Sequence, residues 1–138
     1  MLVVDASVWI AAADQFDVFH ETSRAFLVQI GRQRLHIFLP AFAWIETACA
    51  LSRKRGDAET GLRLAGAILD SPQVTRVPMD DLFLAQALLV GTRSFLRGAD
   101  AIYAATSATH AAKLISWDTE LIRRAGAITP AEWLAAHS

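Results

Sequence analysis

Short apolar runs alternate with helix-period segments along the whole chain. Leu2 to Asp5 is too short for a helix and predicts a buried strand. Ser7 to Ala13 predicts a short helix, and Asp17 is placed to cap a longer one running to Gln33. Phe19, Ala25, Phe26, Val28 and Ile30 are its expected buried side. His36 to Leu39 predicts a second strand, stopped by Pro40, and a helix follows from Ala41 to Arg55. That helix ends in Arg53-Lys54-Arg55 and Gly56, cations at the negative end of the helix dipole followed by a residue suited to a left-handed stop.

Asp57 is placed to cap the next helix, which ends near Asp70-Ser71-Pro72, and Gln73 to Val77 predicts a third strand. Asp80 caps a helix whose centre, Leu82 to Val90, is apolar nearly all round except at Gln86. Such a helix should be buried on most sides, in the core or against another subunit. Ser94 to Gly98 is expected as a loop. An alanine-rich helix then opens at Asp100 and runs to about Ala112. Lys113 to Ser116 predicts a fourth strand and Asp118 a short helix ending at Gly126. Ala127-Ile128 is a candidate fifth strand, and Pro130 starts the final turns, with Trp133 and Leu134 packing inward.

Short apolar strands alternating with helices predict a parallel sheet covered on both faces, an α/β sandwich. At 138 residues the chain has the length of one ordinary domain. No linker or internal repeat divides it. The 54% hydrophobic content excludes a disordered chain, and with a mean hydropathy of +0.32 leaves apolar side chains over for an interface. No run approaches the roughly 18 apolar residues of a spanning helix. The opening Met-Leu-Val-Val-Asp lacks the basic start of a signal peptide, and Cys49 stands alone, so a reducing, cytoplasmic setting is expected. A net charge of −1 excludes nucleic-acid binding by bulk charge but not by a local basic patch.

In parallel α/β folds, ligands bind beyond the carboxyl ends of the strands. Asp5 ends the first strand and Asp118 follows the fourth, so both belong to that edge. Asp100 opens the alanine-rich helix, and Glu46 lies among Phe42, Ala43, Trp44, Ile45, Ala48 and Cys49. Each acid alone has a plainer explanation. Asp5, Asp100 and Asp118 stand where helix caps are wanted, and Glu46 could lie on a solvated stripe. Together they would repel one another unless a divalent cation held them ionised. Oxygen ligands without Cys or His suit Mg²⁺ or Mn²⁺ rather than zinc.

Several segments carry a resemblance. They are the opening hydrophobic-Asp-Ala-Ser-Val, the helix of Glu46, the run Leu96 to Thr106 with its Asp-Ala-x-x-Ala-Ala-Thr block, and Leu114-Ile115-Ser116-Trp117-Asp118. In order and over the whole chain they resemble a PIN-domain protein, and more closely the VapC-type toxins of prokaryotic toxin–antitoxin pairs. The resemblance implies a single PIN-like domain over residues 1–138, a three-layer α/β/α sandwich around a short parallel sheet. It implies an acidic quartet of Asp5, Glu46, Asp100 and Asp118 holding one or two Mg²⁺ or Mn²⁺ ions and cleaving RNA. Ser7 matches a hydroxyl position beside the first acid, and Ser116 stands where the family often has Thr. The implied partners are an RNA substrate, a cognate antitoxin protein and a second copy of the chain in a homodimer.

Arg97, three residues before Asp100, is a candidate phosphate contact, although a loop arginine paired with a surface acid is the simpler reading. The Arg53-Lys54-Arg55 and Arg123-Arg124 runs are expected as solvated helix ends. Tyr103 and Trp117 flank the acids and could stack bases, with core packing the expectation for Tyr103. His20, His36, His110 and His137 show no ligand spacing. The competing function is a non-catalytic PIN-like module for dimerisation and partner binding, supported by the apolar excess. A response-receiver domain would want adjacent acids near the start, and a haloacid-type phosphatase Asp-x-Asp where this chain has Asp5-Ala6-Ser7.

Overall fold

A computed structural model describes residues 1–138. Four short parallel strands form one sheet: β1 (Leu2–Val4), β2 (Ile37–Pro40), β3 (Val74–Val77) and β4 (Lys113–Ile115), in the order β3-β2-β1-β4. All three residues of β1 are buried, which is why Leu-Val-Val shows no alternation: a central parallel strand has no wet face. The edge strand β3 exposes Thr75 and Arg76. The candidate fifth strand reduces to a single bridge between Ile115 and Ile128, because the chain turns at Thr129 into the last helix.

Eight helices pack around the sheet: α1 (Ala6–Ala13), α2 (His20–Arg32), α3 (Ala41–Arg55), α4 (Ala58–Asp70), α5 (Asp81–Arg93), α6 (Gly98–His110), α7 (Thr119–Ala125) and α8 (Pro130–Ala136). The larger core cluster joins β1, β2 and β4 to Trp9, Phe26, Ile30, Tyr103, Leu121 and Trp133. A smaller one holds Val77, Phe83, Ala87 and Ala105, with Phe38 packed against both. No helix is long and apolar enough to cross a membrane.

Asp57 and Asp80 cap α4 and α5 as expected, accepting from Glu59 N and Phe83 N. Asp17 does not cap α2. Its Oδ1 accepts from Phe19 N in a local turn and its Oδ2 pairs with Lys54, so the helix begins later, at His20. The buried side of α2 is accordingly Ser23, Phe26 and Ile30, while Ala25 and Val28 face outward and Phe19 is partly exposed.

The basic end of α3 is not merely solvated. Lys54 and Arg55 reach Asp14 at 2.7 and 3.1 Å, and the Asp14 side chain is only 2% exposed. Asp14 follows the last residue of α1, so this clamp ties the ends of α1 and α3 together. The Lys54 ammonium holds the Asp14 carboxyl below its ordinary value. Gly61 of α4 sits directly against α3. A Cβ there would fall on Ser52 Oγ and the Ala48 carbonyl, so the two backbones approach more closely than a side chain permits.

Helix α5 departs most from expectation. Only Phe83, Ala87 and Gly91 are buried; Leu82, Leu84, Leu88 and Leu89 are exposed, at 71, 43, 66 and 52%. Its apolar surface is wider than the stripe α6 can cover, because Gly91 lets α6 approach along one narrow line against Ala101.

Candidate active site

The strand order reverses at β1: the chain runs from β1 on to β2 and β3 on one side, whereas β4 joins on the other. A crevice opens at such a switch point, beyond the carboxyl ends of the two strands. Asp5 directly follows β1, and Ser116, Trp117 and Asp118 follow β4. Helix α3 brings in Glu46 and α6 brings in Asp100. The four carboxylates line one cavity of about 400 Å³ with Ser7, Arg97 and Tyr103. Another cavity, about 340 Å³ beneath α2, has Arg24 as its only charged lining residue and offers no comparable chemistry.

Asp5 stands at the N-cap position of α1 but makes no capping bond. Its Oδ2 instead accepts from Ser7 Oγ at 2.7 Å and Ser116 Oγ at 2.6 Å. The two hydroxyls are themselves fixed, since Ser7 Oγ accepts from Trp117 N and Ser116 Oγ from Asp118 N. Burial pushes the Asp5 carboxyl above its ordinary value. The Ser116 and Ser7 bonds oppose that rise, and the charge of Asp118 adds to it. Asp118 is a true cap: Oδ1 accepts from Glu120 N and Leu121 N, which leaves Oδ2 facing other partners.

Asp100 is no cap. α6 starts at Gly98 with Arg97 at the N-cap position, so Asp100 lies in the first turn, where its charge complements the helix dipole. Glu46 is held by Tyr103, whose hydroxyl donates to Oε1 at 2.6 Å. Burial raises the Glu46 carboxyl, and the charges of Asp5 and Asp100 raise it further. Tyr103 is 1% exposed, so it packs in the core as expected. Its bond to Glu46 has no signal in the sequence, because nothing in the spacing links α6 to α3. Burial and the charges of Asp5 and Glu46 push the Tyr103 hydroxyl well above its ordinary value, so it remains a donor. Trp117 is not open for base stacking on both faces: Phe19 lies parallel to it at 4.0 Å, and its Nε1 donates to Ser23 Oγ.

Arg97 spans two of the acids, with Nε to Asp100 Oδ2 at 3.0 Å and Nη2 to Asp118 Oδ2 at 2.9 Å. As the side chains stand, no three acids or histidines are gathered tightly enough to share one metal ion. Ser7 and Ser116 engage Asp5, Tyr103 engages Glu46, and Arg97 engages both Asp100 and Asp118. The donor set nonetheless fits a hard divalent cation: carboxylate and hydroxyl oxygens, no sulfur or imidazole, and four carboxylates against one guanidinium.

An α/β domain with an acidic pocket at the switch point of its sheet is the class this geometry defines. The chain belongs to the PIN-domain family, whose model matches residues 2–127. No curated protein sequence matches it significantly. Among solved structures it is similar to Mycobacterium tuberculosis VapC20, a sarcin-ricin loop cleaving toxin. The identity is 19%, with a TM-score of 0.79 and coverage of 93% of this chain and 97% of that one. The Pyrobaculum aerophilum protein PAE2754 matches at 22% identity and TM-score 0.71, over 98 and 93% of the two chains. A Klebsiella pneumoniae toxin–antitoxin complex matches at 14% identity and TM-score 0.66, over 94 and 98%.

Proposed function

We infer that this protein is a divalent-ion-dependent endoribonuclease and the toxin of a toxin–antitoxin pair, acting in the cytoplasm. The observation that carries the reading is the convergence of Asp5, Glu46, Asp100 and Asp118 on one cavity with a single cation among them. PIN-family membership and the shared fold with a sarcin-ricin loop cleaving toxin support it.

The four carboxylates would hold Mg²⁺ or Mn²⁺. A bound ion of this kind polarises a scissile phosphate, lowers the pKa of a bound water and steadies the leaving oxygen. Ser7 and Ser116 fix the Asp5 carboxylate by engaging Oδ2, which leaves Oδ1 without a side-chain partner. Tyr103 holds Glu46 against the pocket, and the Asp14 clamp keeps α3, which carries Glu46, in place beside α1. Arg97, exposed at the mouth, would meet an RNA phosphate there.

The purified protein is expected to cleave single-stranded RNA with Mn²⁺ or Mg²⁺, to stop in EDTA and to resume when Mn²⁺ is restored in excess. Cleavage that persists in EDTA removes the ion from the mechanism. No cleavage with either ion returns the chain to a non-catalytic binding module.

The exposed leucines of α5 support a homodimer. Light scattering at tens of micromolar should give twice the 15.0 kDa chain mass, and a monodisperse monomer would contradict it. The cognate antitoxin is the proposed protein partner, and a segment of it over the acidic pocket would slow cleavage by the complex.

A further inference from the structure

Arg97 differs from every other partner of the pocket acids. Ser7, Ser116 and Tyr103 are neutral hydroxyls, fixed by burial or by further bonds. Arg97 is a full positive charge on a side chain that is 67% exposed, standing at the head of α6 without a capping bond. Its planar fork joins carboxylates from two elements that nothing else in the pocket ties together: Asp100 in the first turn of α6 and Asp118 at the head of α7. A guanidinium suits this role because it presents several N–H donors in one rigid plane.

The oxygens it selects matter. Asp118 Oδ1 is committed to the backbone N–H groups of Glu120 and Leu121, so Oδ2 is the oxygen Asp118 can offer to a ligand, and Arg97 holds it. Arg97 also holds Oδ2 of Asp100. A cation that draws on Asp118 must therefore take over an oxygen that already has a cationic partner, and one on Oδ1 of Asp100 stands beside the same guanidinium. Two positive charges do not share a pair of oxygens at close range without mutual repulsion. Asp5 and Glu46 present no such conflict, since their partners are uncharged.

We propose that Arg97 is a built-in competitor for the divalent ion: it occupies the Asp100–Asp118 pair when the ion is absent and sets how tightly the pocket takes one. The inference rests on the reading of the acids as an ion site and adds to it the residue that tunes its affinity. Displacement is easy because the guanidinium is mostly in water and has no partner outside the pocket acids. Once displaced, it remains at the mouth as a free cation beside the ion. A phosphate that binds it there strengthens ion binding, and by reciprocity the ion strengthens phosphate binding.

The test is Mn²⁺ titration of the metal-free protein by calorimetry, with melting curves in EDTA and in saturating Mn²⁺. Arg97→Met should bind Mn²⁺ roughly threefold to thirtyfold more tightly than wild type, the range expected for losing two exposed ion pairs. Arg97→Lys, which keeps the charge but not the fork, should fall between them. Arg123→Met removes the same charge from an exposed position on α7 that contacts none of the pocket acids, and should bind within twofold of wild type. Arg97→Met should also gain more melting temperature from Mn²⁺ than wild type does, because its metal-free acids lack their counter-ion.

Equal or weaker Mn²⁺ binding by Arg97→Met overturns the inference while leaving the ion site standing. Equal tightening by Arg123→Met overturns it too, because net charge alone would then explain the effect. An absence of Mn²⁺ binding in all four proteins overturns both the inference and the ion reading beneath it.

Discussion

Asp5→Asn is expected to fold normally and to lose RNA cleavage by at least about a hundredfold in saturating Mn²⁺. The side chain is buried and its carboxyl oxygen accepts two serine hydroxyls, a pattern the amide oxygen of Asn can reproduce. What Asn cannot supply is the negative charge. The stability of the metal-free protein moves the other way. Asp5 titrates above its ordinary value in the folded chain, chiefly because it is buried. A group whose folded pKa is raised favours the folded state most when protonated, and that contribution is lost as pH rises through the folded value. Where Asp5 is ionised it is therefore a burden on the fold. The variant should match wild type to within about 1 kcal/mol or exceed it. RNA cleavage measured beside thermal melting in EDTA checks both halves; full activity in the variant would remove Asp5 from the mechanism.

Gly61→Ala is expected to destabilise the protein by about 1–3 kcal/mol, read as a lower urea midpoint at unchanged slope. The new methyl would overlap the Ala48 carbonyl and Ser52 Oγ, and a backbone carbonyl in α3 cannot rotate aside as a side chain can. Gly66, five residues later in the same helix, has nothing within 4 Å of the position a Cβ would take. Gly66→Ala should therefore stabilise by about 0.5–1 kcal/mol, the ordinary helix preference for Ala over Gly. Both variants raise helix propensity equally, so opposite signs isolate the close approach of α3 and α4. If the two variants shift stability alike, the helices are not in the contact described. Because α3 carries Glu46, a displaced α3 should also lower activity in Gly61→Ala and leave it unchanged in Gly66→Ala.

β1 and β2 were legible as short apolar runs ended by Asp5 and Pro40, β3 from its two valines between Pro72 and Pro78, and β4 from Leu114-Ile115 just before Ser116. The strand-end acids followed from the same pattern, since a residue just past β1 or β4 has only one edge to occupy. What could not be read depends on how helices turn against one another. Asp17 has the right side chain for a cap, but local backbone geometry gave its oxygens to Phe19 N and Lys54. The apolar α5 looked like a buried helix because composition cannot say whether the covering surface comes from the same chain. Asp14 gave no signal as a buried clamp, since its partners lie about 40 positions away in α3. The sequence offers Arg97 as a surface ion pair or a phosphate contact; the bond to Asp118, 21 positions on, is set by where α7 begins.

The register of β1 has a bearing on synthesis. Leu2 pairs with Ile37 on one side and with Lys113 on the other, so the first strand made lacks one neighbour until more than a hundred further residues have been added. The carboxylates of Asp5 and Asp118 are equally remote in sequence, and Ser116, which fixes Asp5, arrives just before Asp118. Pairings this distant form late and slowly compared with local helices. While the chain is still on the ribosome and residues 113–118 are unmade or sheltered in the exit tunnel, the acidic pocket lacks one wall. The cleavage proposed for this pocket would thus be withheld from the ribosomal and messenger RNA beside it until residues 113–118 are free. The proposed antitoxin would have that interval in which to be made.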